Sequence, residues 1–438
     1  MPVLQTDLAV RARARDIEVL PPLSRMAEYG LVFILLILFS EGLLPRLLSS
    51  GEEADGSPIL RLLWLPVYGL TLVAFLWSAR ETIPRLLRMP FMTALITLAA
   101  ISFIWSIDPG LSLRRGIAIL MTCLFGVVMA VRYDWRTMIR LIGAMWVTMA
   151  IVSLVSGIVA PSFSIMNEVH VGAWKALWTE KNAMGGHMAR AGFICAFMVM
   201  RDVRWRRFWC AGVFLCTVLV FLSTSKTALL GLMLGFGVLG LALWLKRGPV
   251  TAISTVWLGT AVSAGAIAGL VLAPEAVFGM LGRDATLTGR TDIWAALMDT
   301  IAARPWLGYG YGAFWAPDSM PAYWVRVSVE WPAPTAHNGW LDVALSVGLI
   351  GLFLMVANFI LSFIRAIIAS VDQWTGVFAA GVLVQFALFS VSESIALQQN
   401  AIVWLTYVAV VAKLAASKPG DDEGSDVPVR RRWRLTTP

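Results

Sequence analysis

Three basic residues stand where apolar or amphipathic segments of the sequence begin: Lys181, Lys226 and Arg290. If these segments are helices, a cation at the start opposes the partial positive charge of the helix N-terminus and destabilises the helix by roughly 0.3–1 kcal/mol. The same placement becomes favourable when an anion binds, because the side chain and the free backbone N–H groups then point at one negative charge. The three cations therefore predict a phosphate or diphosphate site, while contact of each one with lipid headgroups is the alternative.

Polar residues near these cations could complete such a site. Asn182, Ser225 and Asp292 stand beside them in the sequence, and His337-Asn338 ends the longest polar stretch between apolar segments. An imidazole can accept a proton near neutral pH, which makes His337 the best candidate for a catalytic residue. We interpret Asn338 as a supporting residue, and a cap or interface role for the pair is the alternative.

A fourth cation, Arg190, lies about two turns inside the helix predicted to begin near residue 183. A charge within a membrane-spanning helix costs about 2.5 kcal/mol or more, so it is expected to be paired or functional. Glu393 is a candidate partner, and Arg190 is also a candidate for diphosphate binding. Arg114 and Arg115 precede another apolar segment and are further candidates, although headgroup contact explains them equally well.

The composition places these residues in a membrane protein. Hydrophobic residues make up 58% of the 438 positions and charged residues only 14%, whereas a soluble domain carries roughly 25% charged residues. Apolar runs of about 18 or more residues recur along the chain, each long enough to cross a bilayer as a helix. The short alternating segments of a transmembrane barrel do not occur. The sequence therefore predicts an all-α polytopic membrane protein with about twelve transmembrane helices, at roughly 29–46, 60–79, 91–107, 113–131, 138–160, 183–200, 208–222, 226–245, 251–273, 338–366, 374–395 and 400–416.

The distribution of Lys and Arg predicts the orientation of these helices. Basic residues gather in every second loop, as the positive-inside rule requires if both termini are cytoplasmic. The predicted order is a cytoplasmic tail (1–28), helices 1–9 (29–273), a large periplasmic loop (274–337), helices 10–12 (338–416) and a disordered cytoplasmic tail (417–438).

Several function classes are disfavoured by the same sequence. The net charge of +8 lies mainly in short inter-helix loops and is a topology signal, so we expect no nucleic-acid partner. No CxxC or DxD spacing suggests a metal, and we expect no metal and no cofactor. Residues 308–312 (Gly-Tyr-Gly-Tyr-Gly) do not fit a dinucleotide fingerprint, and we interpret them as a flexible turn with aromatic interface anchors.

The order of the motifs resembles a known family. Gly289-Arg290-Thr291-Asp292-Ile293-Trp294, then Pro305-Trp306-Leu307-Gly308-Tyr309-Gly310, then His337-Asn338 look like the signature region of the O-antigen ligase and polymerase superfamily. Lys181-Asn182 and Ser223-Thr224-Ser225-Lys226 are similar to its exopolysaccharide-polymerase branch. The resemblance covers roughly residues 175–345.

The resemblance implies a metal-independent glycosyltransferase of GT-C-like architecture in the bacterial inner membrane. The implied donor is an undecaprenyl-diphosphate-linked glycan, transferred to another lipid-linked repeat unit by polymerases or to lipid A-core by ligases. Arg290 matches the loop arginine that engages the donor diphosphate, and His337 matches the histidine at the end of the loop. Lys226 stands where ligases often carry arginine. Lysine keeps the charge but lacks the bidentate fork of arginine, and this difference favours a polymerase. Flippase and chain-length-control proteins are the implied partners.

The pattern of cations and the family resemblance both predict that a sugar hydroxyl displaces undecaprenyl diphosphate while preplaced cations stabilise the leaving group. The main alternative of another class is a transporter or flippase for the same glycan, which should show charged or broken helices near the bilayer midplane. Five aromatic residues could stack on sugar rings, although packing or lipid contact is the alternative for most of them: Trp294, Trp306, Tyr309, Tyr311 and Trp315.

Overall fold

The chain is mainly helical in the part that the structure, a computed structural model, describes. That part comprises residues 23–48, 58–168, 170–248, 250–251, 253–255, 257 and 290–416. It contains no β-strand, and one isolated bridge joins Ile165 and Trp174. The predicted all-α polytopic class is confirmed.

Sixteen α-helices lie within these residues. They are α1 (Leu23–Phe39), α2 (Leu44–Leu48), α3 (Pro58–Trp77), α4 (Ala79–Leu87), α5 (Pro90–Ile101), α6 (Pro109–Arg132), α7 (Trp135–Val159), α8 (Pro161–Ser164), α9 (Lys181–Arg201), α10 (Arg206–Leu222), α11 (Lys226–Leu245), α12 (Arg290–Ala303), α13 (Met320–Ser328), α14 (Gly339–Asp372), α15 (Trp374–Ser392) and α16 (Ile402–Leu414).

The number of spans among the described residues is eight, or nine if the pair α4 and α5, bent by 99°, forms one broken span. The predicted span 251–273 lies almost wholly outside the described residues. Helices α1 and α16 are apolar, but with 17 and 13 residues they are short for a straight crossing. Twelve transmembrane helices therefore remains a prediction.

The first predicted helix, 29–46, differs from the structure, where the helix begins at Leu23 and ends at Phe39. The chain leaves the helix because residues 40–43 pair with another segment. The Trp178 indole donates to the carbonyl of Ser40 at 3.0 Å, and the Leu43 amide donates to the carbonyl of Leu177 at 2.9 Å. Glu41 lies in this break, with a φ of 56°.

The main core is built where α6, α9, α14, α15 and α16 meet. A large buried aromatic group lies between α15 and α16, where Phe386 stacks on Tyr407 with ring centroids 4.3 Å apart. The Asn358 amide of α14 donates to the Tyr407 hydroxyl at 2.7 Å, which satisfies two buried polar groups. A second, smaller apolar core lies between α12, α13 and the start of α14, around Leu297 and Phe314. The loop segment therefore folds onto α14 as a compact unit.

The two ends of the helix bundle differ in their polar chemistry. We name the end at which α6, α9, α11 and α14 begin the loop end. At the opposite end, Arg140 makes two hydrogen bonds of 2.8 Å to Asp202, and Arg136 lies 3.6 Å from the same carboxylate. The Trp209 indole donates to Asp202 at 3.1 Å. These hydrogen bonds and ion pairs connect α7, α9 and α10.

Asp202→Asn is expected to lower the melting temperature of the purified protein. Burial alone would raise the pKa of the Asp202 carboxyl, but the hydrogen bonds and charges from the arginines outweigh it and lower that pKa. Removing the charge should cost about 2 kcal/mol at pH 7, below the 3–5 kcal/mol of a fully buried pair because the arginines are partly exposed.

The sign of the pH dependence follows from the lowered pKa. The charged carboxylate stabilises the fold at neutral pH, and this contribution is lost as the pH falls below about 4. Wild type and Asp202→Asn should therefore converge in stability at low pH. The exposed Asp372 is the matched control, and Asp372→Asn should melt as wild type does. Equal melting temperatures of wild type and Asp202→Asn at pH 7 would contradict this account.

Candidate functional site

The loop is joined to α14 by a row of backbone hydrogen bonds at a kink. Val347 and Gly348 leave helical geometry, Gly348 with a φ of 71°. The amides of Leu349 and Tyr309 donate across the break to the carbonyls of Pro305 and Leu345, at 2.7 and 2.8 Å. Residues 305–310 thus replace the helical partners that the kink removes.

Residues 308–312 lie in turns, as expected, but the interpretation of their aromatic rings as interface anchors is wrong. Tyr309 and Tyr311 are buried, and the Tyr311 hydroxyl donates to the carbonyl of Leu397 at 2.7 Å. Both tyrosines therefore pack inside the protein. Trp306 is 67% exposed and remains available for lipid or sugar contact.

Gly348→Ala is expected to loosen the loop from α14. A Cβ built on Gly348 would overlap the carbonyl of Trp306, and its backbone conformation is one that essentially only glycine adopts. We expect a loss of roughly 2 kcal/mol or more and faster proteolytic cleavage near residues 305–312. Gly237→Ala in α11 is the matched control, because nothing lies within 4 Å of its added Cβ. Unchanged proteolysis of Gly348→Ala would refute this assignment.

The central feature of the loop end is the carboxylate of Glu393. One of its oxygens lies 3.6 Å from Nη2 of Arg290, and the other lies 3.7 Å from Nδ1 of His337. All three side chains are about one quarter exposed. A cation, a carboxylate and an imidazole from three distant parts of the chain therefore form one partly open cluster, which we call the Glu393 cluster.

Arg290 is placed by the end of α15. It is the first residue of α12, and its Nη1 donates to the carbonyl of Ser392 at 2.8 Å. Helix α15 ends at Ser392, so this carbonyl lacks a helical partner. The arginine both caps α15 and faces the Glu393 carboxylate.

His337 lies on a left-handed backbone with a φ of 46°, a conformation uncommon for non-glycine residues. Its ring stacks on Trp331 at a centroid distance of 5.4 Å and an angle of 13°. Asn338, predicted as a supporting residue, is the N-cap of α14, with its Oδ1 accepting from the amides of Trp340 and Leu341. Its role in the structure is to begin α14 directly after the histidine.

Asp342 fixes the backbone before His337. Its Oδ1 accepts from the Trp315 indole at 2.8 Å and from the Ala336 amide at 3.3 Å. The Trp294 indole donates to the carbonyl of Ala336 at 2.9 Å. These contacts place Trp294 and Trp315 in the framework of the site. Asp342 was not among the residues predicted from the sequence, although a carboxylate in the first turn of an apolar helix favours the helix dipole and could have indicated it.

The expected direct pairing of Arg190 with Glu393 is corrected by the structure. The ion pairs that Glu393 makes within 4 Å among the described residues go to Arg290 and His337. The Arg190 guanidinium lies over the ring of Phe389, 4.2 Å from its centroid, and its Nε is buried without a hydrogen bond to the described residues. Glu393 and Glu41 are the carboxylates that act on it electrostatically. Arg190 therefore lies within electrostatic range of two acidic groups.

Lys181 and Lys226 lie at neighbouring helix starts. Nζ of Lys181 is 3.3 Å from Oγ1 of Thr224, in the turn that leads into α11. Ser225 caps α11, accepting from the Ala228 amide at 3.4 Å. Lys226 is exposed and makes no ion pair or hydrogen bond with the described residues. The two lysines are thus available to an added anion.

The two remaining supporting residues are not drawn into the Glu393 cluster. Asn182 makes no hydrogen bond within the described part of the chain, and Asp292 is exposed in the first turn of α12, where a carboxylate favours the helix dipole. Among the described residues, no group of three His, Cys, Asp or Glu side chains could hold a metal ion. Metal independence remains a prediction.

Comparisons with known proteins give matches that include several of the candidate site residues. Residues 211–356 match the family model described as O-antigen ligase. Over 312 residues the chain is 27% identical to the exopolysaccharide production protein ExoQ of Rhizobium meliloti (strain 1021), a match that covers 68% of this chain and 70% of that protein. The matched family segment includes Lys226, Arg290 and His337. The resemblance to the O-antigen ligase and exopolysaccharide branch is confirmed.

Proposed function

We propose that this membrane protein polymerises undecaprenyl-diphosphate-linked repeat units into an exopolysaccharide or O-antigen. The observation that carries the proposal is the Glu393 carboxylate, which joins the cation Arg290 to the imidazole of His337. The family match and the similarity to an exopolysaccharide production protein support the reaction class. We further propose that the loop end faces the periplasm and that both termini are cytoplasmic, as the basic loops favour.

The reaction is a displacement at the anomeric carbon of the donor. The acceptor hydroxyl forms the new glycosidic bond, the bond to the diphosphate oxygen breaks, and the hydroxyl proton passes to a base. Negative charge grows on undecaprenyl diphosphate as it leaves. A cation already in place stabilises this charge more in the transition state than in the ground state. Arg290 supplies that cation.

His337 is the proposed base. The Glu393 carboxylate faces Nδ1, which favours a proton on Nδ1 and leaves Nε2 free to accept the proton of the acceptor hydroxyl. The 3.7 Å separation is longer than a hydrogen bond, and substrate binding would be expected to shorten it. Glu393 thus acts as a positioning residue for both partners.

The lysines extend the cationic surface toward the diphosphate. Lys181 and Lys226 start adjacent helices, so their side chains and the free N–H groups of α9 and α11 can face one anion. Lysine contributes a point charge without the bidentate fork of arginine. The alternative acceptor is lipid A-core, which would make the protein a ligase.

The function is tested by reconstituting the purified full-length protein in vesicles with an undecaprenyl-diphosphate-linked repeat unit. A polymerase yields a ladder of longer lipid-linked glycans. Transfer to added lipid A-core without a ladder would establish the ligase. Movement of the donor across the vesicle membrane with no new glycosidic bond would overturn both and establish a transporter.

Arg290→Ala is expected to lower the rate of elongation by about 10²–10³-fold, the loss that follows removal of one preorganised transition-state donor. Glu393→Gln keeps the size of the side chain but removes the charge, and we expect a loss of about 10-fold or more, because both Arg290 and His337 lose their carboxylate partner. Initial rates measured at saturating repeat unit check both values.

Arg304→Gln is the matched control for these variants. Arg304 is an exposed arginine in the loop, outside the Glu393 cluster, and its guanidinium lies 5.2 Å from the centroid of the Tyr309 ring. Its rate should stay near that of wild type. Folding of each variant is checked by its melting temperature, and full activity of folded Arg290→Ala would disprove the assigned role.

A further inference from the structure

A cavity of about 560 Å³ lies at the loop end between α1, α3, α6 and α9, and the Glu393 cluster does not contribute to its lining. Its size is that of an ordinary small-molecule site. Four arginines line it: Arg46, Arg61, Arg114 and Arg115. Among the described lining residues Glu41 is the acidic one, so this part of the lining carries an excess of positive charge.

Two of these arginines are fixed in the wall by the protein itself. Arg46 donates to the carbonyls of Ala176, at 2.7 Å, and Trp178, at 3.2 Å, and Arg115 donates to the carbonyl of Gly312. Arg61 and Arg114 are exposed. Arg114 makes no hydrogen bond or ion pair with the described residues. The cavity therefore combines a cationic wall held by hydrogen bonds with one exposed arginine, Arg114, that can reach a ligand.

The other side of the cavity is lined by amides and aromatic rings. Gln398, Gln399 and Asn400 lie in the segment before α16, and Tyr68 donates to Oδ1 of Asn400 at 2.9 Å. Trp64 also lines the cavity. Amide groups suit sugar hydroxyls, and aromatic rings suit the apolar faces of sugars. A ligand with an anionic part and a saccharide part matches both sides.

The rim of the cavity is apolar where it faces the membrane. Leu65 of α3 and Ile117 of α6 both line the cavity and are 60% and 47% exposed. Leu62 and Leu113 extend this apolar surface along the same two helices. A hydrocarbon chain attached to the anionic ligand can therefore remain in the bilayer beside α3 and α6.

Arg190 is the residue on which carboxylates of both the cavity and the Glu393 cluster act. His187 of α9 lines the cavity, stacked between Trp146 and Trp178 at 5.0 Å from each ring, and Arg190 follows it by one helical turn. Arg190 is acted on by Glu41 in the cavity wall and by Glu393 in the cluster. The electrostatic environment of Arg190 thus depends on both sites.

We infer that this cavity binds a second lipid-anchored substrate, the diphosphate headgroup and adjoining sugar of the polyprenyl-linked acceptor. The inference rests on the proposed function, in which the Glu393 cluster serves the donor. The acceptor keeps its diphosphate throughout the reaction, so the arginines of the cavity have a binding role and need not stabilise a leaving group.

The test is the number of undecaprenyl diphosphate molecules that the full-length protein binds in detergent, measured by native mass spectrometry with phosphatidylglycerol in excess. We expect two on wild type. The double variant Arg61→Gln, Arg114→Gln should bind one, with affinity at the lost site lowered about tenfold or more, as expected when charge-assisted hydrogen bonds are removed. Arg290→Ala should lose the other molecule, and Arg304→Gln should keep both.

Each alternative outcome has a distinct meaning. One molecule on wild type, lost in Arg290→Ala but kept in the double variant, overturns the second site and leaves the proposed function standing. Binding to neither site counts against the proposed function as well. Displacement of the second molecule by phosphatidylglycerol identifies a site for bulk anionic lipid and overturns the acceptor assignment.

A kinetic measurement separates binding from folding. In the reconstituted assay, where the repeat unit is both donor and acceptor, the double variant should raise the KM for the repeat unit about tenfold. Its kcat should stay near the wild-type value, because the variant leaves the Glu393 cluster intact. Its melting temperature should match that of wild type. A fall in kcat with an unchanged KM would contradict an acceptor-binding role for the cavity.

Discussion

A helix that ends or kinks in an apolar environment leaves backbone N–H and C=O groups unpaired. Other parts of the protein must form hydrogen bonds with these groups, because no water is present to do so. Three of the breaks that the described residues make at the loop end are at residues 40–43, 347–348 and 393–401. Each break is satisfied by a distant segment. Leu177 and Trp178 satisfy the first, and residues 305–310 satisfy the second. At the third, the Tyr311 hydroxyl donates to the carbonyl of Leu397, and Thr122 accepts from the amide of Asn400.

These breaks also explain where the carboxylates lie. Glu41 is in the first break and Glu393 opens the third, so neither side chain is confined to the face of a continuous helix. Both are brought near Arg190, which α9 carries into the same region. The segments that satisfy the breaks are fixed by hydrogen bonds, and this gives the Glu393 cluster a rigid frame. The same hydrogen bonds that satisfy the broken helices thus also hold the polar side chains in place.

The sequence predicted the class of the fold and part of the site, for physical reasons that can be traced to particular residues. Long apolar runs predict membrane spans directly. Arg290 and His337 could be identified because they stand near the two ends of a polar stretch. The break at Gly348 was not visible, because a lone glycine in an apolar run also fits a helix interior. Glu393 was noticed, but its partners were not, because local patterns do not specify which helix ends meet. Of the cavity arginines, Arg114 and Arg115 were candidates with headgroup contact as an equal alternative, and Arg46 and Arg61 were not identified, for the same reason.

The buried polar groups at the two ends of the bundle differ in their hydrogen bonding. At the opposite end, Asp202 receives hydrogen bonds from Arg140 and Trp209, so its charge is matched within the protein. At the loop end, polar atoms such as Nε of Arg190 and Oδ2 of Asp342 are buried without a hydrogen bond to the described residues. A buried polar atom without a partner costs about 1–3 kcal/mol, a cost that a bound ligand or water can offset. Nε of Arg136 at the opposite end is buried in the same way, so this cost is not confined to the loop end. At the loop end it falls on residues beside the Glu393 cluster, where the substrate of the proposed reaction can offset it.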